Sequence, residues 1–425
     1  MTHYEALSRT TLLLNREFFS GEASEPAIAD ALLATTVRME ADEASVSCRA
    51  GQTALITGFL LTARLGIGIE LFAPDVPVID VAAPLRVPRL VDALVEVGRD
   101  LVPGPRVRTV AGDVDEAFAF GHSAIRTAVH VAATDFTAEL LRGHAASSAG
   151  EMPFGGFAAG AAIAAIALEA ALPRIEAATG LSARRLRPTP GPPVRIDLGD
   201  AFPELAELSL DVGEVDVISG GAITHALLFC LLRVPALRAQ LRVVDAERAD
   251  LSNVNRYALL RASENGRLKT EQLERASGDS IRIVGVPRLF TDDTRETIVP
   301  LADVVLVGVD DVEARWWVQQ EQPAWLAVGA TGNHLAQLTT HVPDEPCAAC
   351  IHSVPLPRQT IPTISFISFW AGLLQACALV SGMRRRSSNV LVYPFALGGP
   401  SAISTFQLMA NSACPLACAA ARRAA

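Results

Sequence analysis

The chain has 425 residues, of which 50% are hydrophobic, 19% charged and 5% aromatic. This length and composition predict a globular protein with sizeable cores and room for two domains. The net charge of −10 argues against nucleic acid as the main partner. No basic segment precedes an apolar run near the N-terminus, so we expect no signal peptide. Seven cysteines, four of them in two close pairs, suggest a metal in a reducing compartment, and we predict a cytoplasmic protein with no membrane partner.

The first 39 residues predict two helical segments, which carry Arg9, Arg16 and Arg38. From Ala44 to Asp75 the pattern is that of a βαβ unit, with a short strand, a turn at Gly51, a helix and a second strand. The turn has the sequence CRAGQTA, whereas a dinucleotide fingerprint has three glycines. We therefore interpret this unit as structural and do not expect a phosphate site in it.

Residues 154–172 form an apolar run interrupted only by Glu169. A membrane span is one interpretation, but the many alanines and glycines give the run a low hydrophobicity per residue, which favours a buried helix. Residues 186–195 contain four prolines and predict neither a helix nor an inner strand. We therefore place a linker at residues 186–200.

The second half begins with a predicted strand, residues 215–219, followed by the turn and helix SGGAITHALLFCLL. The glycine positions of a G-x-G-x-x-G loop hold Ser219, Gly221 and Thr224. Ser219 still allows a tight turn, whereas Thr224 adds a side chain where helix and strand pack closely. Main-chain amides at the start of such a helix are suited to bind phosphate.

Residues 241–244 predict a buried parallel strand, and Asp245 follows at its carboxyl end. An open α/β sheet places an acid at this point against a nucleotide ribose. Arg256, within SNVNR, and then Lys269 follow along the chain and supply cations for phosphates. Taken singly, each of these residues is better explained as part of a solvated polar loop.

Two acids and four cysteines complete the candidate residues. Asp310 and Asp311 follow a predicted strand at residues 303–309, where a carboxylate suits Mg²⁺ but also suits the N-terminus of the helix that follows. Two close cysteine pairs have the ligand number of a structural zinc site, and free thiols or disulfides remain the alternative. These four residues are Cys347, Cys350, Cys414 and Cys418.

In order and spacing, three motifs resemble those of the ThiF/MoeB-type adenylyltransferases and the related ubiquitin-activating enzymes. They are D-x₆-S-N-x-N-R from Asp245, a lysine soon after Gly266, and VLVGVDDVEAR at residues 305–315. The resemblance implies an α/β, Rossmann-like adenylation fold in two tandem halves, each a mostly parallel sheet flanked by helices. Residues 1–185 would then be a degenerate, inactive copy, and residues 201–425 the active domain with the zinc-binding cysteines.

The resemblance also implies a role for each candidate residue. Ser219, Gly221 and Asp245 would bind the nucleotide, with Asp245 on the ribose. Asn253, Arg256 and Lys269 would contact the triphosphate, and Asp310 would hold Mg²⁺. Tyr257 stands where the family often has glutamine.

The implied reaction is ATP-dependent adenylation of a C-terminal carboxylate, with release of pyrophosphate. The substrate would be a ubiquitin-like protein, a sulfur carrier or a small ribosomal peptide, and the enzyme a possible homodimer. Residues 351–363 contain no cysteine, so no thioester step is evident. In paired relatives, an arginine near one domain's N-terminus reaches the ATP of the other domain, and Arg16 is our first choice for this role, ahead of Arg9 and Arg38.

Two other classes of function stay open. A pseudoenzyme that serves as a scaffold for a carrier protein or an active partner would explain the loss of two loop glycines. A nicotinamide or flavin oxidoreductase shares the arrangement of strand, turn and acid.

Overall fold

The structure, a computed structural model, describes residues 3–102, 107–143, 147–184, 192–354, 362–382, 387–397 and 402–424. Its strands form two sheets. The strands of the first sheet are β1 Thr36–Ala41, β2 Gly68–Phe72, β3 Val107–Arg108, β4 Glu116–Phe120, β5 Val129–Ala133, β6 Thr137–Arg142 and β7 Val194–Asp197. Those of the second are β8 Asp211–Ile218, β9 Arg238–Val244, β10 Ile281–Val286, β11 Val304–Val307, β12 Trp325–Thr331, β13 Ala336–His341, β14 Ser388–Val392 and β15 Ile403–Gln407.

Helices flank both sheets. The α-helices are α1 His3–Phe18, α2 Glu25–Ala34, α3 Glu43–Val46, α4 Arg49–Arg64, α5 Leu90–Gly98, α6 Phe154–Thr179, α7 Leu198–Ala201, α8 Ala222–Leu231, α9 Lys269–Glu274, α10 Val312–Gln320, α11 Ala348–Ile351, α12 Ser365–Val380 and α13 Ala419–Ala424. Short 3₁₀ helices lie at Pro203–Ala206, Leu251–Asn253, Ala262–Glu264, Arg295–Thr297 and Pro394–Ala396.

Seven strands of the second sheet repeat the order of the first sheet, and the second sheet adds β15 at its edge. The first has the order β3-β2-β1-β4-β5-β6-β7, and the second has the order β10-β9-β8-β11-β12-β13-β14-β15, so β8 corresponds to β1. In each sheet the first five strands of this order pair in parallel and the later ones pair antiparallel. The duplicated order confirms the predicted fold class of two tandem, mostly parallel Rossmann-like halves.

In each half, the helix after the first strand packs against a late helix rich in small residues. In the first half these helices are α4 and α6, and in the second half they are α8 and α12. A Cβ on Gly160 of α6 would lie 2.4 Å from the Cβ of Thr57, and one on Gly372 of α12 would lie 2.5 Å from the Cβ of Ala226. Both glycines are therefore required for the close approach of the two helices.

The apolar run at residues 154–172 lies within α6. By length and composition α6 is able to cross a membrane, but 89% of its most apolar window is buried inside the protein. This burial confirms the prediction of a buried helix.

The two halves share one hydrophobic core. At its centre, Phe157 of α6 meets Phe229 of α8 and Phe369 of α12. The ring centroids lie 5.9 Å apart for Phe157 and Phe229, 6.2 Å apart for Phe157 and Phe369, and 5.7 Å apart for Phe229 and Phe369. Aromatic pairs at these separations pack favourably, so these three rings join the two halves within the shared core.

Two predictions for the N-terminal region are wrong. Arg38 lies on strand β1 and not on a helix, because Val37 and Met39 alternate with it toward the core. The sequence predicts that the βαβ unit begins with a strand at Ala44. In the structure this strand is β1, which already ends at Ala41. The residues that follow form helix α3, because the Asp42 carboxylate accepts a hydrogen bond from the Ser45 amide at 2.8 Å.

The predicted linker lies partly outside the described residues, which omit 185–191. Of its remainder, Val194–Asp197 forms strand β7, which pairs antiparallel with β6 at the edge of the first sheet. A short helix, α7, begins directly after this strand.

Candidate active site

The candidate site lies at the carboxyl edge of the second sheet. The last residue of β8, Ile218, pairs with Val244 of β9 on one side and with Val307 of β11 on the other. Ser219 and Asp245, which follow two of these strands, therefore emerge at the same edge. In parallel sheets of this topology, this edge is where ligands bind.

Asp245 is buried and fixed by two main-chain amides. Its Oδ2 accepts a hydrogen bond from the Gly220 amide at 2.7 Å, and its Oδ1 accepts one from the Glu247 amide at 2.7 Å. Burial raises the pKa of Asp245, although the charge of Lys269 and the two amides oppose the rise. Each carboxylate oxygen keeps a lone pair for a ligand hydroxyl.

The loop before α8 folds tightly although it lacks two glycines of the fingerprint. Ser219 has φ = 130°, in the region that favours glycine, so its backbone is strained. Its Oγ accepts a hydrogen bond from the Gly221 amide at 2.9 Å, and Thr224 Oγ1 donates to the Ser219 carbonyl at 2.7 Å. The two substituted residues thus hold the turn with their own hydroxyl groups.

The SNVNR segment is held by local hydrogen bonds and by helix α1. Asn253 Oδ1 accepts from the Asp250 amide at 3.0 Å, closing a capping box around the 3₁₀ helix Leu251–Asn253. Asn255 is fully buried, and its Nδ2 donates to Thr10 Oγ1 of α1 at 2.8 Å. Arg256 donates to Asn255 Oδ1 at 3.0 Å and to the Ser252 carbonyl.

Tyr257 lies at the centre of the cationic part of the site. This central position was not predicted from the sequence. Its ring centroid is 5.3 Å from Arg256 Cζ, 5.5 Å from Lys269 Nζ and 4.5 Å from the ring of His225. His225 is fully buried, and neither of its ring nitrogens has a hydrogen-bond partner among the described residues. His225 stands four residues after Gly221, and this position is the sequence signal that could have identified it as a site residue.

Lys269 is 5% exposed and forms an ion pair with the exposed Glu247, a residue also missed from sequence. Burial by itself would lower the pKa of Lys269, but Tyr257, Asp245 and Glu247 together raise it above its ordinary value. The side chain is therefore a fixed positive charge at neutral pH.

Asp310 and Asp311 have different environments. Asp311 is the N-cap of α10, and its Oδ1 accepts from the Glu313 amide at 2.9 Å. Asp310 is exposed, and among the described residues its carboxylate has no hydrogen-bond partner. Arg315 is buried and donates from Nε and from a terminal nitrogen to the Val309 carbonyl, at 3.1 and 2.7 Å. Arg315 thereby fixes the main chain next to Asp310.

The charges of Arg9 and Asp310 shift the pKa of Arg256 in opposite directions. Burial lowers the pKa of Arg256, and the charge of Arg9 on α1 adds to this effect, whereas Asp310 opposes it. All three groups therefore share one electrostatic environment. Arg16 is exposed on α1, and Arg38 is paired with Glu70 at 2.8 Å in the first sheet.

The four predicted zinc ligands form one cluster, with their sulfur atoms all within 4.8 Å of one another. The Sγ–Sγ distances are 3.9 Å for Cys347 and Cys350, 3.5 Å for Cys347 and Cys414, and 3.6 Å for Cys350 and Cys418. A tetrahedral zinc with Zn–S bonds of about 2.3 Å separates its sulfurs by about 3.8 Å. The cluster is therefore able to hold a metal such as zinc.

Two positions of this site hold different residues in the first half. Ala41 pairs with Phe120 as Ile218 pairs with Val307, so Asp42 occupies the position of Ser219, and Ser123 that of Asp310. A Cβ on Gly121 would lie 2.1 Å from Asp42 Oδ2, so the Asp42 carboxylate fills the space beside the loop. A carboxylate at this position repels phosphate.

The sheet topology and the clustered charges define an α/β protein of the Rossmann-like class, with its candidate site in the second half. Residues 226–412 match the ThiF family, and this part of the chain is a ThiF family domain. The resemblance noted from sequence is confirmed for these residues. Asp245, Asn253, Arg256, Lys269 and Asp310 all lie within the match.

Similarity to individual proteins is partial. The chain is 30% identical over 156 residues to the uncharacterized protein y4jF of Sinorhizobium fredii (strain NBRC 101917 / NGR234), a match that covers 36% of this chain but only 30% of that protein. It is also similar to two structures of E. coli MccB. The first has 17% identity and a TM-score of 0.39 and covers 52% of this chain and 66% of MccB. The second, with ATP, has 15% identity and a TM-score of 0.38 and covers 50% and 68%.

Proposed function

We propose that this protein is an ATP-dependent adenylyltransferase. It would activate the C-terminal carboxylate of a ribosomal peptide, a ubiquitin-like protein or a sulfur carrier as an acyl-adenylate. The match of residues 226–412 to the ThiF family supports the reaction class.

One observation carries the proposal, namely that Asp245 and Arg256 of the loop after β9, Lys269 at the start of α9 and Asp310 after β11 converge at one edge of the sheet. Arg256 and Asp310 interact electrostatically, and Lys269 interacts with Asp245. Tyr257 lies beside both cations. The cluster thus offers a hydrogen-bond acceptor for a ribose, two fixed cations for phosphates and an exposed carboxylate for Mg²⁺. These are the parts of a magnesium nucleotide triphosphate.

In the proposed reaction, a carboxylate oxygen of the substrate attacks the α-phosphorus of ATP. A new O–P bond forms, the bond from the α-phosphorus to the bridging oxygen breaks, and pyrophosphate leaves with the electron pair. A carboxylate needs no general base, so the site acts by positioning and by offsetting charge. Arg256 and Lys269 supply positive charge, and Asp245 orients the ribose.

Asp310 would hold a Mg²⁺ ion, which supplies further positive charge to the phosphates when bound. The cysteine cluster would hold zinc with all four thiolates. Since no coordination position would then remain open, this zinc would have a structural role only.

The test is ATP–pyrophosphate exchange by the full-length protein with candidate peptides and carrier proteins that end in a free carboxylate. Each candidate is compared with a version amidated at its C-terminus, which lacks the reacting oxygen. The proposal predicts exchange that depends on the free carboxylate. Exchange with an amidated substrate, or none with any candidate while MgATP binds, would contradict it.

A pseudoenzyme scaffold is the second candidate, and it rests on the internal contacts of the site. Arg256 already donates to Asn255 and Ser252, and Lys269 is paired with Glu247. Ser219 and Thr224 replace loop glycines. A scaffold of this kind would bind a partner protein without binding MgATP.

A further inference from the structure

Three arginines are almost completely buried between the two halves, which is rare for a charged side chain. Arg64, Arg233 and Arg261 are 0%, 1% and 1% exposed. Each donates hydrogen bonds to main-chain carbonyls of the opposite half. Arg261 additionally forms an ion pair with Glu96 of α5.

Arg64, the last residue of α4, reaches into the segment that carries Arg256 and Tyr257. One of its terminal nitrogens donates to the Val254 carbonyl, and the other donates to the carbonyls of Ala258 and Leu260, both at 2.9 Å. Its acceptors therefore lie on both sides of the two site residues. Burial, with the charge of Arg261, lowers the pKa of Arg64 to about 9, so the guanidinium stays charged at neutral pH.

The other polar contacts of this segment are fewer. Arg256 bonds within the segment, so its contacts do not fix the segment relative to the rest of the protein. Anchors from outside are Thr10 of α1, which accepts from Asn255, and Gln272, whose Nε2 donates to the Leu259 carbonyl at 3.2 Å. Arg64 thus supplies more of these external hydrogen bonds than either of them.

The duplication supplies an internal comparison. Arg233 follows α8 as Arg64 ends α4, and it donates to the carbonyls of Ala82 and Ala83 at 2.9 and 3.0 Å. These acceptors lie in the loop after β2, which corresponds to the loop after β9 that contains Arg256. The first-half loop has no SNVNR segment. The two arginines thus make equivalent contacts, but only the acceptors of Arg64 belong to a charged site.

We propose that Arg64 is a positioning residue, by which the first half holds Arg256 and Tyr257 in place for adenylation. The effect on adenylation rests on the proposed function, whereas the contact between Arg64 and the segment that carries Arg256 and Tyr257 does not. The contact would give the first half a mechanical role at the candidate site of the second half.

The contact is tested by hydrogen–deuterium exchange on full-length Arg64→Met and Arg233→Met. Reporter amides include that of Tyr257, which donates to the Asn253 carbonyl at 3.0 Å. We expect Arg64→Met to raise exchange at residues 251–260 on the order of tenfold or more and Arg233→Met to raise it only around residues 82–90. Unchanged exchange at 251–260 in Arg64→Met, or an equal rise there in Arg233→Met, would overturn the proposal.

The consequence is tested by titrating MgATP into the same variants. We expect Arg64→Met to bind MgATP on the order of tenfold more weakly and Arg233→Met to match the wild type. If Arg64→Met fails to fold, Arg64→Lys gives the same comparison, since it keeps the charge but loses the forked geometry. If the wild type binds no MgATP, the proposed function fails, while the exchange experiment still decides the positioning role.

Discussion

At the scale of single residues, Arg256 has the most informative environment in the candidate site. It is buried beside Tyr257, and the charges of Arg9 and Asp310 both act on it. Arg9 comes from helix α1 of the first half, and among the described residues its side chain has no hydrogen-bond or ion-pair partner. Arg9 and Arg256 thus place two positive charges near each other, where an anionic ligand such as a phosphate would be attracted.

Arg9→Ala is predicted to weaken MgATP binding by about tenfold or more, because a charge-assisted contact to a phosphate contributes roughly 1.5–3 kcal/mol. Arg9 takes the place of Arg16, our first choice from sequence, because the charge of Arg9 acts on Arg256. Arg16→Ala is the matched control, since Arg16 is on the same helix but exposed. The measurement is a calorimetric titration of each variant. Equal losses in the two variants, or no loss in Arg9→Ala, would show that α1 supplies no phosphate contact.

His225 is predicted to make the protein sensitive to acid. Burial lowers its pKa well below 6.5, and the charges of Arg64, Lys269 and Arg256 act in the same direction. Above pH 6.5 both folded and unfolded states carry neutral His225, so it has no effect. Below pH 6.5 the unfolded chain binds a proton that the folded state excludes, and the free energy of unfolding falls by about 1.4 kcal/mol per pH unit.

The measurement is urea denaturation at pH 7.5 and pH 5.5 for the wild type and His225→Phe. The wild type should lose about 1.4 kcal/mol more than His225→Phe between these two values. Equal losses in both proteins would mean that His225 accepts a proton in the folded state.

At the scale of elements, the cysteine cluster and the helix that follows Asp310 are directly connected. Arg315 of α10 donates to His352 Nδ1 at 3.1 Å, and Trp316 Nε1 donates to the His352 carbonyl at 2.7 Å. Gln319 Oε1 accepts from the Ala348 amide at 3.0 Å. The segment that carries the first cysteine pair therefore holds α10, and with it the position of Asp310.

Cys350→Ser is predicted to lose zinc and to lower both the melting temperature and the affinity for MgATP. The physical reason is that a three-thiolate cluster no longer fixes the segment packed on α10. Purified wild type should contain one zinc per chain by elemental analysis. Cys48→Ser, at a cysteine outside the cluster, should keep this zinc. Full zinc retention in Cys350→Ser, or its loss without a change in melting temperature, would contradict a structural role.

The elements of the second half were more predictable from sequence than those of the first. The apolar run before Asp245 and the spacing of the cysteine pairs are local signals in the sequence. The strand and the cysteine cluster that they predict are both present in the structure. Strand β7 and the place of Arg38 on β1 were not predictable, because they depend on pairing with residues far along the chain. The contacts of Arg64 were hidden for the same reason, since its acceptors lie 190 to 196 residues away.

At the scale of the whole molecule, the two halves have the same strand order and share one core. Their sequences give little sign of this duplication. The reason is that topology depends on the pattern of apolar residues, whereas individual polar positions differ between the halves, as Asp42 at the position of Ser219 and Ser123 at that of Asp310 show.

Residues 193–425, which comprise the second half and strand β7 of the first sheet, are predicted not to fold as a stable monomer. Removing the first half exposes Phe229 and Phe369, each worth roughly 1.5–3 kcal/mol of burial, and leaves Arg233 and Arg261 without their acceptors. The control is a full-length chain cleaved at a protease site placed within residues 185–191, whose halves should stay associated and melt together. A monomeric 193–425 with a cooperative melting transition would contradict a shared core.

The central claim is that the second half binds MgATP at the cluster of Asp245, Arg256, Lys269 and Asp310. Its most direct test is calorimetric titration of MgATP into the full-length protein and into Arg256→Ala and Asp310→Ala. The account predicts saturable binding at one site per chain, weakened about ten- to a hundredfold in each variant, with the fold of both variants intact. Absence of MgATP binding to the wild type, or unchanged affinity in both variants, would contradict it.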